Sequence, residues 1–181
     1  MDYLDTLLHR NTEFVSQGFN PNLRMMPSSR TFIIGCLDPR VDPMNIFKLE
    51  AGEAAIFRNI GGRVTPAVLE TIGLLRSISK AFGTKIGPGA SLIVLHHTDC
   101  GINHIYKDAP DLLARHMGVA SEQLDTLAIT DPRKSVAVDV AALKADPRVP
   151  GAYTVSGLVY DVATGKVETV VTPAILRPEE H

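Results

Sequence analysis

Tryptophan is absent from the 181-residue chain, cysteine occurs only twice, and aromatic residues make up 6%. There is no Lys/Arg-rich run and no excess of one charge: 18 basic and 20 acidic side chains give a formal net charge of -2. Little in such a surface would attract a phosphate backbone, so nucleic acid is excluded as an expected partner. The longest apolar runs, such as Leu92 to Leu95, fall far short of the roughly 20 residues that span a bilayer. The start, MDYLDTLLHR, is acidic and has no long apolar core of a signal peptide. A soluble, cytoplasmic protein is expected. A 45% hydrophobic and 21% charged composition is ordinary for one globular domain. We therefore expect a single domain over residues 1–181, with residues 1–30 as an N-terminal helical arm.

What the chain does have is an alternation of helix and strand signals. Leu4, Leu7, Leu8, Phe14 and Val15 recur at helical spacing, and the stretch from Gly18 to Pro27 ends that helix. Thr31 to Cys36 (TFIIGC) is a short apolar, β-branched run, which reads as a strand buried on both faces. Asp42-Pro43 has the form of an N-cap followed by proline and opens a helix to about Leu49. AAIFRN reads as the second strand, and Thr65-Pro66 opens a long helix to about Phe82. ASLIVLHH is the third strand. Helices follow near Leu112, Leu124 and Val136 to Leu143, and AYTVSGLVYD with KVETVV forms a strand and an edge hairpin turning at Thr164-Gly165. The fold class is α/β: a mostly parallel central sheet flanked by helices, with an N-terminal helical arm and a C-terminal edge hairpin.

Ligands bind such sheets beyond the carboxyl ends of the strands. The two scarce cysteines lie there. Cys36 ends the first strand, His97 ends the third, and Cys100 follows three residues later across a turn closed by Gly101. Two thiolates and one imidazole fill three corners of a tetrahedral zinc site and leave the fourth for water or a carboxylate, the arrangement of a catalytic metal. Asp38 and Arg40 complete the first motif. In extended chain, residues two apart share a side, so Cys36, Asp38 and Arg40 are expected to face one rim, with the guanidinium holding the carboxylate off the metal. His96 and His104 are candidates for proton relay or for solvated bystanders. Asp99, between His97 and Cys100, is a candidate hydrogen-bond acceptor behind the ligands or, as the preferred reading, the N-cap of the helix after Gly101. Gly61-Gly62 lies in no nucleotide-binding pattern.

Cys-x-Asp-x-Arg after one strand and His-x-x-Cys-Gly after a later one is how the zinc site of the β-class carbonic anhydrases is written, and the chain resembles that family from about Thr31 to Val171. RNIGGRV (Arg58 to Val64) and GLVYDVATGKVE resemble further family segments. The resemblance implies zinc bound by Cys36, His97 and Cys100, and an Asp38–Arg40 dyad. It also implies a homodimer, the unit from which higher homo-oligomers are built, with the active site near the subunit interface. The implied reaction is reversible hydration of carbon dioxide to bicarbonate by a zinc-activated hydroxide. Two states of Asp38 occur in the family, on the metal or on the arginine. The chain departs from the family in one place. Many members carry a glutamine nine residues before the first cysteine, where Pro27 stands here. With that donor gone, an aliphatic pocket bordered by the Asn59 to Gly62 backbone also suits the family's carbonyl sulfide and carbon disulfide hydrolases, which use the same metal frame. A third reading is a zinc-binding member without significant turnover.

Overall fold

The computed structural model describes residues 2–81, 83 and 87–177. Five strands form one sheet: β1 (Thr31–Cys36), β2 (Ala54–Asn59), β3 (Ser91–His97), β4 (Thr154–Tyr160) and β5 (Val167–Ile175). Their order is β2-β1-β3-β4-β5, with β5 antiparallel to β4 and every other pair parallel. The helices are α1 (Tyr3–Gln17), α2 (Pro43–Ile46), α3 (Pro66–Ala81), α4 (Ile102–Asp108), α5 (Pro110–Met117) and α6 (Pro132–Ala145). This is the expected α/β architecture.

The register places the functional strand ends together. Cys36 pairs with Asn59 of β2, and Gly35 pairs with Leu95 of β3, so the ends of β1, β2 and β3 form one rim. β1 and β3 are central, which is why both are apolar on both faces: Ile33, Ile34, Leu92, Val94 and Leu95 are all buried. Val68 and Ile72 of α3 and Val136, Val140 and Leu143 of α6 pack with Phe32, Ile34, Leu92 and Val94 in the main core. Burial of each such side chain stabilises the fold by about 1.5–3 kcal/mol. A smaller cluster of Ile102, Leu113, Met117, Leu124 and Ile129 lies under α4 and α5, next to Cys100.

Several local expectations are revised. The helix opened by Asp42 is capped as read, with Asp42 Oδ1 accepting from Met44 N at 3.1 Å, but it ends at Ile46 rather than near Leu49. Lys48 has a φ of 54°, which no helix continues through. The segment around Leu124 is a 3₁₀ helix, Ser121–Leu127, which buries only Leu124 and stops at the left-handed Ala128. The last residue expected in α3, Phe82, lies outside the described residues. The hairpin turns as expected: Gly165 has a φ of 71° and its N–H donates to Asp161 O at 2.8 Å.

Candidate metal centre

Cys36, His97 and Cys100 converge. One ligand atom from each lies within 4.8 Å of the others, and among the described residues no carboxylate joins the cluster. The two Sγ atoms are 3.9 Å apart, far beyond the roughly 2.05 Å of a disulfide. A tetrahedral ion with metal–sulfur bonds of about 2.3 Å would hold them roughly 3.8 Å apart. His97 Nδ1 lies 2.8 Å from Thr98 O. A carbonyl can only accept, so Nδ1 carries the hydrogen and the lone pair is on Nε2. That Nε2 is buried without a hydrogen-bond partner. The residues present therefore fit a tetrahedral metal ion, and an orphaned imidazole lone pair is what such an ion would satisfy.

The surroundings of Cys36 favour its thiolate. The hydrogen bond from the Cys100 thiol, helped by the N–H groups of Asp38 and Gly61, draws the Cys36 thiol well below its ordinary pKa despite burial. The same contact, with burial, pushes the Cys100 thiol up. A cation at this position would favour the thiolate form of both sulfurs. The Gly62 turn makes this packing possible: with a φ of 64°, a Cβ there would lie 2.9 Å from Cys36 N and 3.0 Å from Leu95 O.

Asp38 and Arg40 form a pair, but not through extended chain. Asp38 caps the 3₁₀ turn Pro39–Val41, accepting from Arg40 N at 2.9 Å. The guanidinium then closes on the same carboxylate, Nε at 3.1 and 3.2 Å and Nη2 at 2.7 Å. These bonds hold the Asp38 carboxyl down at about 2. Of the two states of Asp38, the structure has the arginine-bound one. Arg58 clamps the loop from behind, donating from Nε to Cys36 O at 2.9 Å and from Nη2 to Asp38 O at 2.8 Å.

Two expectations fail here. Asp99 does not cap α4, whose N-cap is Gly101 without a side-chain bond; its carboxylate instead accepts from Arg40 Nη1 at 2.9 Å. His96 is neither a solvated bystander nor a surface relay. It is buried, with Nδ1 2.7 Å from Ser135 Oγ and Nε2 3.1 Å from Asp139 Oδ2. His104 is exposed on α4.

Sequence reasoning also missed the network behind His96. Arg63, 1% exposed, donates from Nε and Nη2 to Asp139 at 2.9 and 3.0 Å and from Nη2 to Leu127 O at 3.0 Å. Burial would raise the Asp139 carboxyl, but the His96 hydrogen bond and the Arg63 charge outweigh it and hold it below the usual range. Arg63 and Asp139 are 76 residues apart, and no local pattern links them. A pocket of about 160 Å³ opens beside His97 and Cys100. Gly61, Ile102, Ile129 and Pro132 contribute to its wall, together with Arg63 and His96. The wall is therefore partly polar, not purely aliphatic.

The comparisons with known proteins agree with this geometry. The family profile described as carbonic anhydrase matches residues 31–167. Beta-carbonic anhydrase 1 of Mycobacterium bovis is 30% identical over 174 residues, covering 94% of this chain and 99% of that protein. A carbon disulfide hydrolase of Saccharolobus solfataricus is 26% identical over 191 residues, covering 92% and 88%. The crystal structure of carbonic anhydrase from Streptococcus mutans superposes with a TM-score of 0.72 at 36% identity, covering 94% of this chain and 98% of that one. The chain belongs to the β-class carbonic anhydrase family, whose members include carbon disulfide hydrolase relatives.

Proposed function

We propose that the protein is a zinc enzyme that hydrates carbon dioxide reversibly to bicarbonate, with zinc held by Cys36 Sγ, His97 Nε2 and Cys100 Sγ. The observation that carries this reading is the convergence of two sulfurs and an unpartnered imidazole nitrogen beside an Asp–Arg pair. Zinc, when bound, supplies an activated hydroxide at neutral pH because it lowers the pKa of water from 15.7 to about 7. The chain's own groups do the rest. Asp38, ionised because Arg40 donates to both of its oxygens, accepts a hydrogen bond from the reacting water and orients it toward the substrate carbon. Arg40 keeps that carboxylate engaged and away from the ligand atoms, and Arg58 fixes the loop that carries Cys36 and Asp38. Thr98 O sets the His97 tautomer.

The second reading, carbonyl sulfide or carbon disulfide hydrolysis, is favoured by Pro27 at the position where many family members carry glutamine. Hydrogen-bond donors favour oxygen over sulfur, so a pocket with one donor fewer discriminates less between carbon dioxide and its sulfur analogues. Metal analysis, stopped-flow carbon dioxide hydration and a hydrogen sulfide assay on carbonyl sulfide, all on one preparation, test both readings. We expect about one zinc per chain, fast hydration, and sulfide release above the zinc-free control. Hydration without any sulfide release overturns the relaxed pocket; sulfide release with negligible hydration makes the second reading the function.

The working unit is a homodimer. No residue of α1 is buried, while Tyr3, Leu4, Leu7, Leu8, Phe14 and Val15 are all exposed on it. A 15-residue helix is marginal in water without packing, and the same arm of a second copy supplies an apolar face of matching kind. No helix among the described residues is long and apolar enough to cross a membrane, and reduced cysteine ligands suit the cytoplasm.

A further inference from the structure

Arg40 has a second anchor, on the far side from Asp38. Its Nη1 donates to Asp99 Oδ2 at 2.9 Å and its Nη2 to Asp99 O at 3.0 Å. Asp99 occupies the turn between His97 and Cys100 with a φ of 53°, a left-handed conformation that Asp tolerates better than most non-glycine residues. The guanidinium is thus braced between the loop that carries Cys36 and the turn that carries the other two ligand residues.

The brace matters because Arg40 is not buried. Its side chain is 50% exposed and that of Asp99 is 73% exposed. A long side chain at such a site has many rotamers, and one surface ion pair restrains it weakly. Acceptors on both sides of a planar, five-donor fork leave one orientation that satisfies all of them. In that orientation Asp38 is held on Arg40 and its carboxylate is not among the converging ligand atoms.

We propose that Asp99 is a positioning residue that fixes the Arg40 guanidinium and, through it, keeps Asp38 off the metal position. The role rests on the reading of Cys36, His97 and Cys100 as a zinc centre. Asp99 touches neither substrate nor metal in this scheme; it acts through Arg40 alone. Losing it should free Arg40 to move, and with it the Asp38 carboxylate, while the three ligand residues stay in place.

The test uses the zinc-loaded protein and four variants: Asp99→Gly, Asp99→Asn, Arg40→Ala, and Arg40→Ala combined with Asp99→Gly. Glycine removes the carboxylate without straining the left-handed turn, and asparagine keeps an acceptor and tolerates the same φ. Crystal structures at one pH report whether Asp38 sits on Arg40 or on zinc, whatever the turnover. In Asp99→Gly we expect Asp38 on zinc in at least part of the molecules, zinc content as in the wild type, and kcat/KM lower by about three- to tenfold. Asp99→Asn should retain most of the activity. In the Arg40→Ala background, Asp99→Gly should have no further effect. Asp38 still on Arg40 with unchanged kcat/KM in Asp99→Gly would overturn the role, as would a full additional loss on top of Arg40→Ala. If none of the proteins turns over carbon dioxide or carbonyl sulfide, the functional reading fails separately, and the position of Asp38 in the crystals still decides the role of Asp99.

Discussion

The rim that carries Cys36, His97 and Cys100 and the arm formed by α1 both present conspicuous side chains, yet the first is packed within a single chain and the second buries nothing in it. At the rim, Arg63, His96, His97 and Asp139 are all buried, and the Asp139 carboxylate is satisfied by Arg63, His96 and Val64 N. The arm has complete local signals: Asp2 caps the helix and Asp5 Oδ2 accepts from Asp2 N at 3.1 Å. It nevertheless buries nothing. Capping stabilises a helix end by about 0.5–2 kcal/mol, whereas most helix stability in proteins comes from packing an apolar face. The rim shows what long-range contacts supply; the arm shows what local signals leave undone.

The strongest way to break the rim is to remove a ligand. Cys100→Ala leaves two ligand residues, and zinc should fall from about one per chain to under about a tenth, with activity lost. Full occupancy in that variant, measured by metal analysis, would remove Cys100 from the centre.

Next is the support behind the ligands. Asp139→Asn leaves Arg63 buried beside a neutral amide and should cost about 3–5 kcal/mol in urea unfolding at pH 7. The sign of the pH dependence follows from the lowered Asp139 carboxyl. Its contribution is fully present above the unfolded value near 4 and is lost as pH falls through the lower folded value. The gap between wild type and Asp139→Asn should therefore close in acid, and a gap that widens below pH 4 would refute the assignment.

The arm gives the converse test. Replacing Leu4 and Leu8 by Asp should leave the rim and its zinc intact while weakening dimerisation by about a hundredfold or more, since each apolar side chain buried is worth about 1.5–3 kcal/mol. Sedimentation equilibrium at micromolar concentration measures this; an unchanged association constant would mean that α1 is not the interface. The smallest of the four effects is expected from Arg40→Ala, which should lower kcat/KM by about 10- to 100-fold with zinc retained. Near-normal turnover there would show that Asp38 is held by something other than Arg40.

Much of the centre was legible because its signals are local. TFIIGC and AAIFRN coincide with β1 and β2 residue for residue, since an unbroken apolar run bounded by polar turns leaves few alternatives. Cys36, His97 and Cys100 stood out because the residue types themselves name a chemistry. The preferred cap reading of Asp99 and both readings of His96 failed for the opposite reason. An aspartate before a helix has a local role on offer, the cap, and only the approach of Arg40, 59 residues away in sequence, shows that the carboxylate is used elsewhere. Nothing near His96 announces that Ser135 and Asp139 of α6 will enclose it.

The sequence by itself determined the strand order along the chain, the candidate metal-binding residues, and the Asp–Arg motif, because apolar periodicity, proline, glycine and the chemistry of thiols and imidazole act over a few residues. Only the tertiary structure decided that Asp38 caps a 3₁₀ turn and lies on Arg40, that Asp99 braces the same guanidinium, and that Arg63 and Asp139 form a buried support behind the rim. Those contacts depend on which loops and helices the parallel register of β1, β2 and β3 brings to one end of the sheet. That register is settled by packing across the whole core, where no short window of sequence holds both partners.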